Sequence, residues 1–400
     1  MALYSQGKRK GKASMKLRPE RIKFGNGDKG EPSIFLAQFL GDKPPFDNLM
    51  NIAEWAVRLG FGAVSIPAWD PRVIDLDQAA ASKQWCDDKI TGPLGLIGIA
   101  VSDLATHLFG QLMAQNPAQQ PLFAGFGPKK IARSPYAQYA WAQEQMQKAI
   151  LASANLGCTS LFSFTGNFLF PYVYPWPPRP AELVRAAFKE HGRRWTPVLR
   201  GAQDHGQRIG FEIHPQEDAH DGDSWEQFLE AVGGNPAAGI AYDPSHFILQ
   251  GLDYLKFLEI YADRVFCAHW KDAEFRPSGK QGVYGGYRGF KDRVGRFRSL
   301  GDGDLNLTAL EQTFARAGLS LWRVLEWEDV VKGKVQGARE GAQILQALID
   351  DNDVPKFTGV DPNTDDFEAF ASGGVSKRTL EKCLGFTIPA EDAKELKLAP

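Results

Sequence analysis

The stretch RIGFEIHPQEDAHDGDSWEQFLEAVGGNPAAGIAYDPSH, residues 208–246, contains one complete repeat of the pattern that decides the fold. Its two ends, RIGFEIHP and AGIAYDP, are short apolar runs of the kind that form buried strands, and SWEQFLEAVG between them has the periodicity of a helix. The stretch therefore predicts a strand–helix–strand unit with parallel strands, and both strands end on acidic and imidazole side chains.

The same unit recurs along the chain. The pattern predicts strands over residues 33–39, 62–69, 100–108, 159–164, 208–215, 238–244, 265–272 and 321–329, separated mostly by amphipathic helices. This is the strand number of a (β/α)8 barrel, and no glycine fingerprint of the dinucleotide-binding type opens an early helix. The predicted fold class is α/β: a TIM barrel over residues 31–350, with a basic N-terminal tail (1–30) and a C-terminal extension (351–400).

Composition restricts the partners of this 400-residue chain. A net charge of -2 and a pI near 6.4 give no basic field for nucleic acid or an anionic membrane, so a small molecule is the expected partner. The four cysteines are scattered without metal-binding or disulfide-rich spacing, and no apolar run has the length of a membrane span or a secretory signal. We expect a cytoplasmic protein, and the oligomeric state, a homo-oligomer included, stays open.

Chemically active side chains collect at the ends of four consecutive predicted strands. In a barrel of this type the reacting groups lie there, because the carboxyl ends of all strands meet at one mouth. The residues concerned are Glu212 and His214, Asp243 and His246, His269 with Lys271 and Asp272, and Glu326. Taken singly, Glu212 could be a rim charge, Asp243 a helix cap, His269 a core imidazole and Glu326 part of an acidic patch; their coincidence favours a shared site.

Three carboxylates and one imidazole at one mouth predict a metal. Glu212, Asp243 and Glu326 would raise one another's pKa values unless a cation neutralised them, and His269 supplies a nitrogen ligand. An oxygen-rich set with one nitrogen suits Mn²⁺, which we favour, or Mg²⁺ or Co²⁺. We therefore expect one divalent metal ion as the cofactor.

The motifs EIHP, DPSH, HWKD and LEWED, in this order on successive strands, resemble those of the sugar isomerase and epimerase superfamily of xylose isomerase-like barrels over about residues 33–350. The resemblance, to ketose 3-epimerases and inosose dehydratases in particular, implies that Glu212, Asp243, His269 and Glu326 hold the metal. It also implies that Glu212 and Glu326 transfer protons and that His246 contacts substrate oxygens. Lys271 and Asp272 match an HxKD motif that dehydratase members share.

The implied function is a metal-dependent isomerase or epimerase that removes a proton next to the carbonyl of a sugar or keto-sugar through a metal-stabilised enediolate. The alternative is a lyase, dehydratase or hydratase acting on a keto-inositol or a 3-keto glycoside by the same enolate chemistry. His246, His214 or Lys271 would then be the acid. Residue types alone do not separate these two activities.

His214, Lys271 and Asp272 at the strand ends are candidates for substrate binding. Further candidates are Trp69, Asp70 and His107, whose ordinary alternatives are packing and capping. The glycine-rich insert over residues 279–304 is predicted to be a lid, a binding loop or a solvated loop. A repair nuclease of the endonuclease IV type, which resembles the same barrel, would need more histidines and an HxH pair, which this chain lacks. A sugar-binding module would not need two flanking carboxylates beside a complete ligand set.

Overall fold

A computed structural model describes residues 31–360, 376–396 and 398, so the predicted tail of residues 1–30 lies outside the described residues. Eight parallel strands close into a barrel in which each strand pairs with the next in the chain and the last pairs with the first. These strands are β1 (Ser33–Phe35), β2 (Ala63–Pro67), β3 (Ala100–Ala105), β4 (Ser160–Ser163), β5 (Arg208–Glu212), β6 (Ala238–Tyr242), β7 (Val265–Trp270) and β10 (Val324–Leu325). The prediction of a (β/α)8 barrel is confirmed.

Helices cover the outer face of the barrel. They are α1 (Leu49–Leu59), α2 (Leu76–Ala81), α3 (Lys83–Cys86), α4 (Gly92–Leu96), α5 (His107–Met113), α6 (Gln120–Phe123), α7 (Pro135–Asn155), α8 (Ala181–Asp204), α9 (Gly222–Ala231), α10 (Pro244–Gln250), α11 (Tyr254–Tyr261), α12 (Leu307–Arg316) and α13 (Lys334–Ile349). Local sequence sets their ends. Asn48 caps α1 by accepting the amide of Asn51, and Gly60 ends it at a φ of 96° that favours glycine.

The strands are buried on both faces, as parallel strands covered by helices should be. Large side chains such as Trp195, Trp225 and Phe228 fill the layer between the barrel and its helices. Inside the barrel, a second apolar cluster forms a floor of mostly small and aromatic side chains: Phe35, Ala105, Phe162, Ala241, Cys267 and Val324. Burial of this apolar surface stabilises the barrel and fixes the directions of the side chains at the strand ends.

Several element boundaries differ from the prediction. The third strand ends at Ala105, so His107 begins α5 instead of ending a strand. The last strand is only Val324–Leu325, and the rest of the predicted range 321–329 has no regular secondary structure. Residues 76–96 form α2 to α4 with a π-helical turn at Asp87–Thr91; Gly92, Pro93 and Gly95 of α4 weaken the helical pattern of the sequence there.

Between β7 and β10 the chain inserts an antiparallel hairpin, β8 (Asp272–Phe275) and β9 (Gly295–Arg298), in which Asp272 pairs with Arg298. The glycine-rich insert predicted over residues 279–304 thus includes one strand of a hairpin. Two helices, Lys377–Leu384 and Ala390–Glu395, lie in the predicted C-terminal extension. Among the residues described, no helix has the length and apolarity needed to cross a membrane.

Candidate metal centre

Four neighbouring barrel strands deliver the four predicted ligands. Glu212 is the last residue of β5, Asp243 follows β6, His269 lies in β7 and Glu326 follows β10. These strands are adjacent around the barrel in that order, and Glu212 is in register with Ala241 two residues before Asp243. Because parallel strands end at the same rim, the sequence places all four side chains at one position above the apolar floor.

The four ligand atoms form one tight group. One candidate ligand atom from each of Glu212, Asp243, His269 and Glu326 lies within 4.8 Å of all the others. Nδ1 of His269 is 3.0 Å from Oε2 of Glu326 and 3.6 Å from Oε1 of Glu212. All four residues are buried, with at most 6% of any of them exposed.

The donors fit a divalent cation. Oε1 of Glu212, Oδ2 of Asp243 and Nδ1 of His269 are buried, and within the described part of the chain none of them has a hydrogen-bond partner. Buried polar atoms without partners are costly, and three carboxylates in one small space repel one another unless a cation lies between them. Three oxygen donors and one nitrogen match the preferences of Mn²⁺, Mg²⁺ or Co²⁺.

The electrostatics of the centre favour ionised carboxylates. Burial would raise the pKa of Glu212, but the neighbouring imidazoles of His107, His246 and His269 hold it well below its ordinary value. Burial would raise the pKa of Glu326 as well, but the charges of His269 and Lys271 lower it below its ordinary value. Both glutamates are therefore charged at neutral pH, as ligands and as general bases must be.

Two further polar side chains, His246 and Lys271, face the ligands. Nε2 of His246 lies 3.3 Å from Oδ2 of Asp243 and 3.4 Å from Oε1 of Glu212, with none of the imidazole exposed. Nζ of Lys271 lies 3.0 Å from Oδ2 of Asp243 and 2.9 Å from Oε2 of Glu326. The structure thus brings both predicted residues to the centre.

Two contacts of the centre were missed from the sequence. Gln38 donates its side-chain amide to Oε1 of Glu326 at 2.9 Å, and Glu328 accepts from Nζ of Lys271 at 2.8 Å. The only sequence signal for Glu328 is its spacing of two residues from Glu326, which places both on one side of an extended chain. Gln38 gave no signal, because it falls inside the predicted first strand.

Three of the predicted substrate-binding residues lie at the rim of the centre. Nε2 of His107 is 3.3 Å from Oε2 of Glu212. The half-buried Trp69 meets the His107 ring edge-on, with centroids 6.2 Å apart, and the half-buried His214 lies 4.0 Å from the ring of His246. The ring of Phe164 lies 4.7 Å from that of His107 and 4.9 Å from that of His214, so it joins the two pairs beside the ligand set.

Two residues predicted to contact substrate, Asp70 and Asp272, have hydrogen-bond partners within the protein. Asp70 accepts the backbone amide of Arg72 at 3.0 Å and its guanidinium at 2.9 Å, so its carboxylate stabilises a turn. Asp272 is fully buried and accepts four backbone amides at 2.8 to 3.2 Å, from Ala273, Gly301, Gly303 and Leu305. A carboxylate held in this way is a structural anchor and has no oxygen left for a sugar.

The β8–β9 insertion (residues 272–298) lies directly against the centre. The ring of Phe297 in β9 meets the His246 ring edge-on at 5.3 Å and lies 4.5 Å from Nζ of Lys271. Further out, the ring of the exposed Tyr284 of this insertion lies 6.2 Å, centroid to centroid, from that of the exposed Tyr174 in the segment between β4 and α8. The insertion therefore packs against the centre on the side of His246 and Lys271.

Solved structures of low sequence identity share this fold. The probable 3-DHS dehydratase AsbF of petrobactin synthesis from Bacillus anthracis gives a TM-score of 0.55 at 14% identity, over 79% of this chain and 98% of that chain. An L-ribulose 3-epimerase gives 0.53 at 13%, over 80% and 94%. A xylose isomerase-like TIM barrel protein from Mycobacterium smegmatis, in complex with magnesium, gives 0.53 at 12%, over 80% and 96%.

At these identities the structural likeness establishes the fold and no particular activity. No curated protein sequence matches the chain significantly. The family model described as the xylose isomerase-like TIM barrel matches residues 53–348, which include seven of the eight barrel strands and all four candidate ligands. The chain therefore belongs to the family of xylose isomerase-like TIM barrels.

Proposed function

We propose that this protein is a divalent-metal-dependent sugar isomerase or epimerase acting on a small sugar or keto-sugar. A proton is removed from the carbon next to a carbonyl, giving an enediolate, and a proton is then returned. The observation that carries this proposal is the pair of buried, ionised carboxylates of Glu212 and Glu326, which face one cation-compatible centre from different strands.

Glu212, Asp243, His269 and Glu326 would hold the metal, with Mn²⁺ the first choice and Mg²⁺ or Co²⁺ the alternatives. When bound, a divalent ion stabilises the negative charge that develops on substrate oxygens as the proton leaves. The protein's own contribution is a buried site of fixed geometry, because every ligand projects from a barrel strand or from the residue that follows one.

Glu212 and Glu326 are the proposed proton-transfer residues. One oxygen of each carboxylate is fixed, Oε2 of Glu212 beside His107 at 3.3 Å and Oε1 of Glu326 by Gln38 at 2.9 Å. One carboxylate removes the proton and the other returns one. Return to the opposite face of the same carbon gives an epimer, and return to the neighbouring carbon gives an isomer.

The sugar is bound by the side chains around the ligand set. His246, a third proposed catalytic residue, offers a buried imidazole for a substrate oxygen, and His107 and His214 offer further polar contacts at the rim. The half-buried indole of Trp69 supplies an apolar surface of the kind on which a sugar ring stacks. These groups recognise a polar small molecule with an apolar ring face.

A second candidate function, elimination by a lyase or dehydratase, is favoured by one observation. The ammonium of Lys271 lies 2.9 Å from Oε2 of Glu326, so an acid and a base stand side by side. A proton donor in this position could protonate an oxygen that leaves from the carbon next to the enolate. The substrate would then be a keto-inositol or a 3-keto glycoside.

The test is an activity assay on protein stripped of metal by a chelator and reloaded separately with Mn²⁺, Mg²⁺ or Co²⁺. Ketohexoses, keto-inositols and 3-keto glucosides serve as substrates, and proton NMR identifies each product. We expect turnover only in reloaded protein, with an epimer or isomer as product; an unsaturated product assigns the second candidate. Equal turnover by the stripped protein would contradict the metal-dependent proposal.

A further inference from the structure

Lys271 is a deeply buried ammonium at the candidate metal centre, with 2% of the residue exposed. Its Nζ has three carboxylate neighbours, at 3.0 Å to Oδ2 of Asp243, 2.9 Å to Oε2 of Glu326 and 2.8 Å to Oε2 of Glu328. Asp243 and Glu326 belong to the ligand set, and Glu328 does not. The lysine therefore bridges the ligand set and a carboxylate outside it.

An ammonium in this position competes with a metal for the same oxygens. A divalent cation held by Asp243 and Glu326 and the ammonium of Lys271 are like charges that share these two partners in a buried site, where repulsion is only weakly screened. A third acceptor that draws the ammonium away from the ligands would relieve the conflict. Glu328 is such an acceptor, and it makes the shortest of the three contacts.

The surroundings keep Lys271 in this position. The ring of Phe297 lies 4.5 Å from Nζ, and Nε2 of His246 lies 3.3 Å from it. Without Glu328, the carboxylates left within reach of the ammonium are the two ligands, Asp243 and Glu326. Glu328 thus influences whether Asp243 and Glu326 bind the ammonium of Lys271 or a metal.

We infer that Glu328 is a positioning residue that holds the ammonium of Lys271 beside the metal centre and prevents it from competing with the metal for Asp243 and Glu326. This inference rests on the proposed function, because it requires a divalent cation on those ligands. It assigns Glu328 a role that neither its position in the fold nor the family membership specifies.

The test is a double-mutant cycle on Mn²⁺ affinity, measured by isothermal titration calorimetry on the full chain after chelator treatment. Glu328→Gln should weaken Mn²⁺ binding by about 10–100-fold, the range typical of residues that orient metal ligands. Lys271→Met should bind Mn²⁺ at least as tightly as the unmodified protein. Because the competing ammonium is then gone, the double variant should bind like Lys271→Met.

A matched control is Glu340→Gln. Glu340 also pairs with a buried lysine, Lys332, at 2.5 Å, but neither residue contacts the ligand set. This variant should leave the Mn²⁺ affinity unchanged, and Glu328→Asp should recover part of the affinity lost in Glu328→Gln. Circular dichroism on each variant checks that it is folded.

The outcomes distinguish a failure of the positioning role of Glu328 from a failure of the proposed metal dependence. Unchanged affinity in Glu328→Gln, or a double variant as weak as Glu328→Gln, would overturn the positioning role while leaving the metal centre intact. Absence of divalent-cation binding by the unmodified, folded protein would overturn the proposed metal dependence and the positioning role with it. Restored binding in the double variant supports both.

Discussion

Asp243 uses its two carboxylate oxygens for different purposes. Oδ1 accepts the amide of Ser245 at 2.9 Å and so begins α10, while Oδ2 faces the centre, 3.3 Å from His246. The sequence offered a helix cap and a metal ligand as alternatives, and the geometry is compatible with both at once. A cap made by one oxygen also fixes the direction of the other, which prepares the carboxylate for a cation.

Replacement of Glu326 by alanine should abolish tight metal binding. The change removes one of the three carboxylates of the ligand set and leaves Lys271 beside the remaining ones. Elemental analysis of the purified, desalted variant measures the effect, and Glu340→Ala, which removes a buried glutamate elsewhere, is the control. Metal content equal to that of the unmodified protein would remove Glu326 from the proposed ligand set.

Replacement of His246 by alanine should keep the metal but lower kcat/KM by about 100-fold or more, the range for loss of a positioned polar group in proton-transfer chemistry. The imidazole faces Asp243 and Glu212 without belonging to the ligand set. Steady-state kinetics together with metal analysis separates the two effects. Normal turnover would reduce His246 to a structural role, and His220→Ala provides a histidine control outside the centre.

At the residue scale, the sequence predicted the side chains that lie at the ends of clearly periodic strands. Glu212 and Asp243 could be placed because each follows an apolar run of strand length. Gln38 could not be placed, because the first strand ends at Phe35 and the turn that follows directs its amide to Glu326. A polar contact between residues 288 positions apart has no local signature.

At the scale of elements, Asp272 connects the β8–β9 insertion to the barrel. Its two oxygens accept the amides of Gly301, Gly303 and Leu305, beyond β9, as well as that of Ala273. Gly303 has no space for a side chain, because a Cβ there would collide with Oδ1 of Asp272. The sequence suggested that Asp272 contacts substrate, because HWKD resembles a dehydratase motif. The residues of the hairpin show no alternating pattern from which its anchoring by Asp272 could have been predicted.

Asp272→Ala should lower the free energy of unfolding by about 3 kcal/mol or more, because several buried amides lose their acceptor and each unsatisfied group costs about 1–3 kcal/mol. Urea unfolding measures the change. Asp304→Ala, which removes a partly exposed carboxylate of the same region, should cost less than about 1 kcal/mol. Equal stability of the two variants would contradict the anchoring role of Asp272.

The loop after β4 depends on two buried acids that follow β5. Oε2 of Glu217 accepts the amide of Gly166 at 2.6 Å, and Asp218 accepts the amides of Phe168 and Leu169 at 2.7 and 2.8 Å. Burial, with the neighbouring charge of Asp218, raises the pKa of Glu217 well above the ordinary value of 4.5. The folded chain therefore keeps this proton at pH values where the unfolded chain has lost it.

Glu217 should make the protein less stable as the pH rises above 4.5, since unfolding then releases a proton. Glu217→Gln removes this titration and keeps an acceptor for Gly166. The melting temperature of the variant minus that of the unmodified protein should therefore increase from pH 4.5 toward neutral pH. A difference that stays constant with pH would contradict the assignment.

At the scale of the whole molecule, closure of the barrel creates the site. The ligands span 115 positions of the chain, from residue 212 to 326, counting both, and meet only because β5, β6, β7 and β10 are neighbours in a closed sheet. The number and order of strands could be predicted, because each carries its own periodic signal. The closeness of the ligand atoms depends on strand tilt and register, which no local pattern encodes.

Metal binding should stabilise the whole fold, because a ligand that binds only the folded chain shifts the unfolding equilibrium. Mn²⁺ at about 100 times its dissociation constant should add about 2.7 kcal/mol to the free energy of unfolding. Differential scanning calorimetry of chelator-treated protein with and without Mn²⁺ measures this. The melting temperature of Glu326→Ala should not respond to the same addition; an equal response would point to a cation site elsewhere.

The most direct test of the central claim is hydrogen–deuterium exchange at carbon. Metal-loaded protein is incubated in D2O with ketohexoses, keto-inositols and 3-keto glucosides, and proton NMR follows the signals next to each carbonyl after the metal is removed. We predict metal-dependent deuterium uptake in at least one substrate, lost in Glu212→Gln, with the product identifying epimerisation, isomerisation or elimination. Absence of exchange in every substrate, with protein that is folded and metal-loaded, would contradict proton abstraction next to a carbonyl as the function of this site.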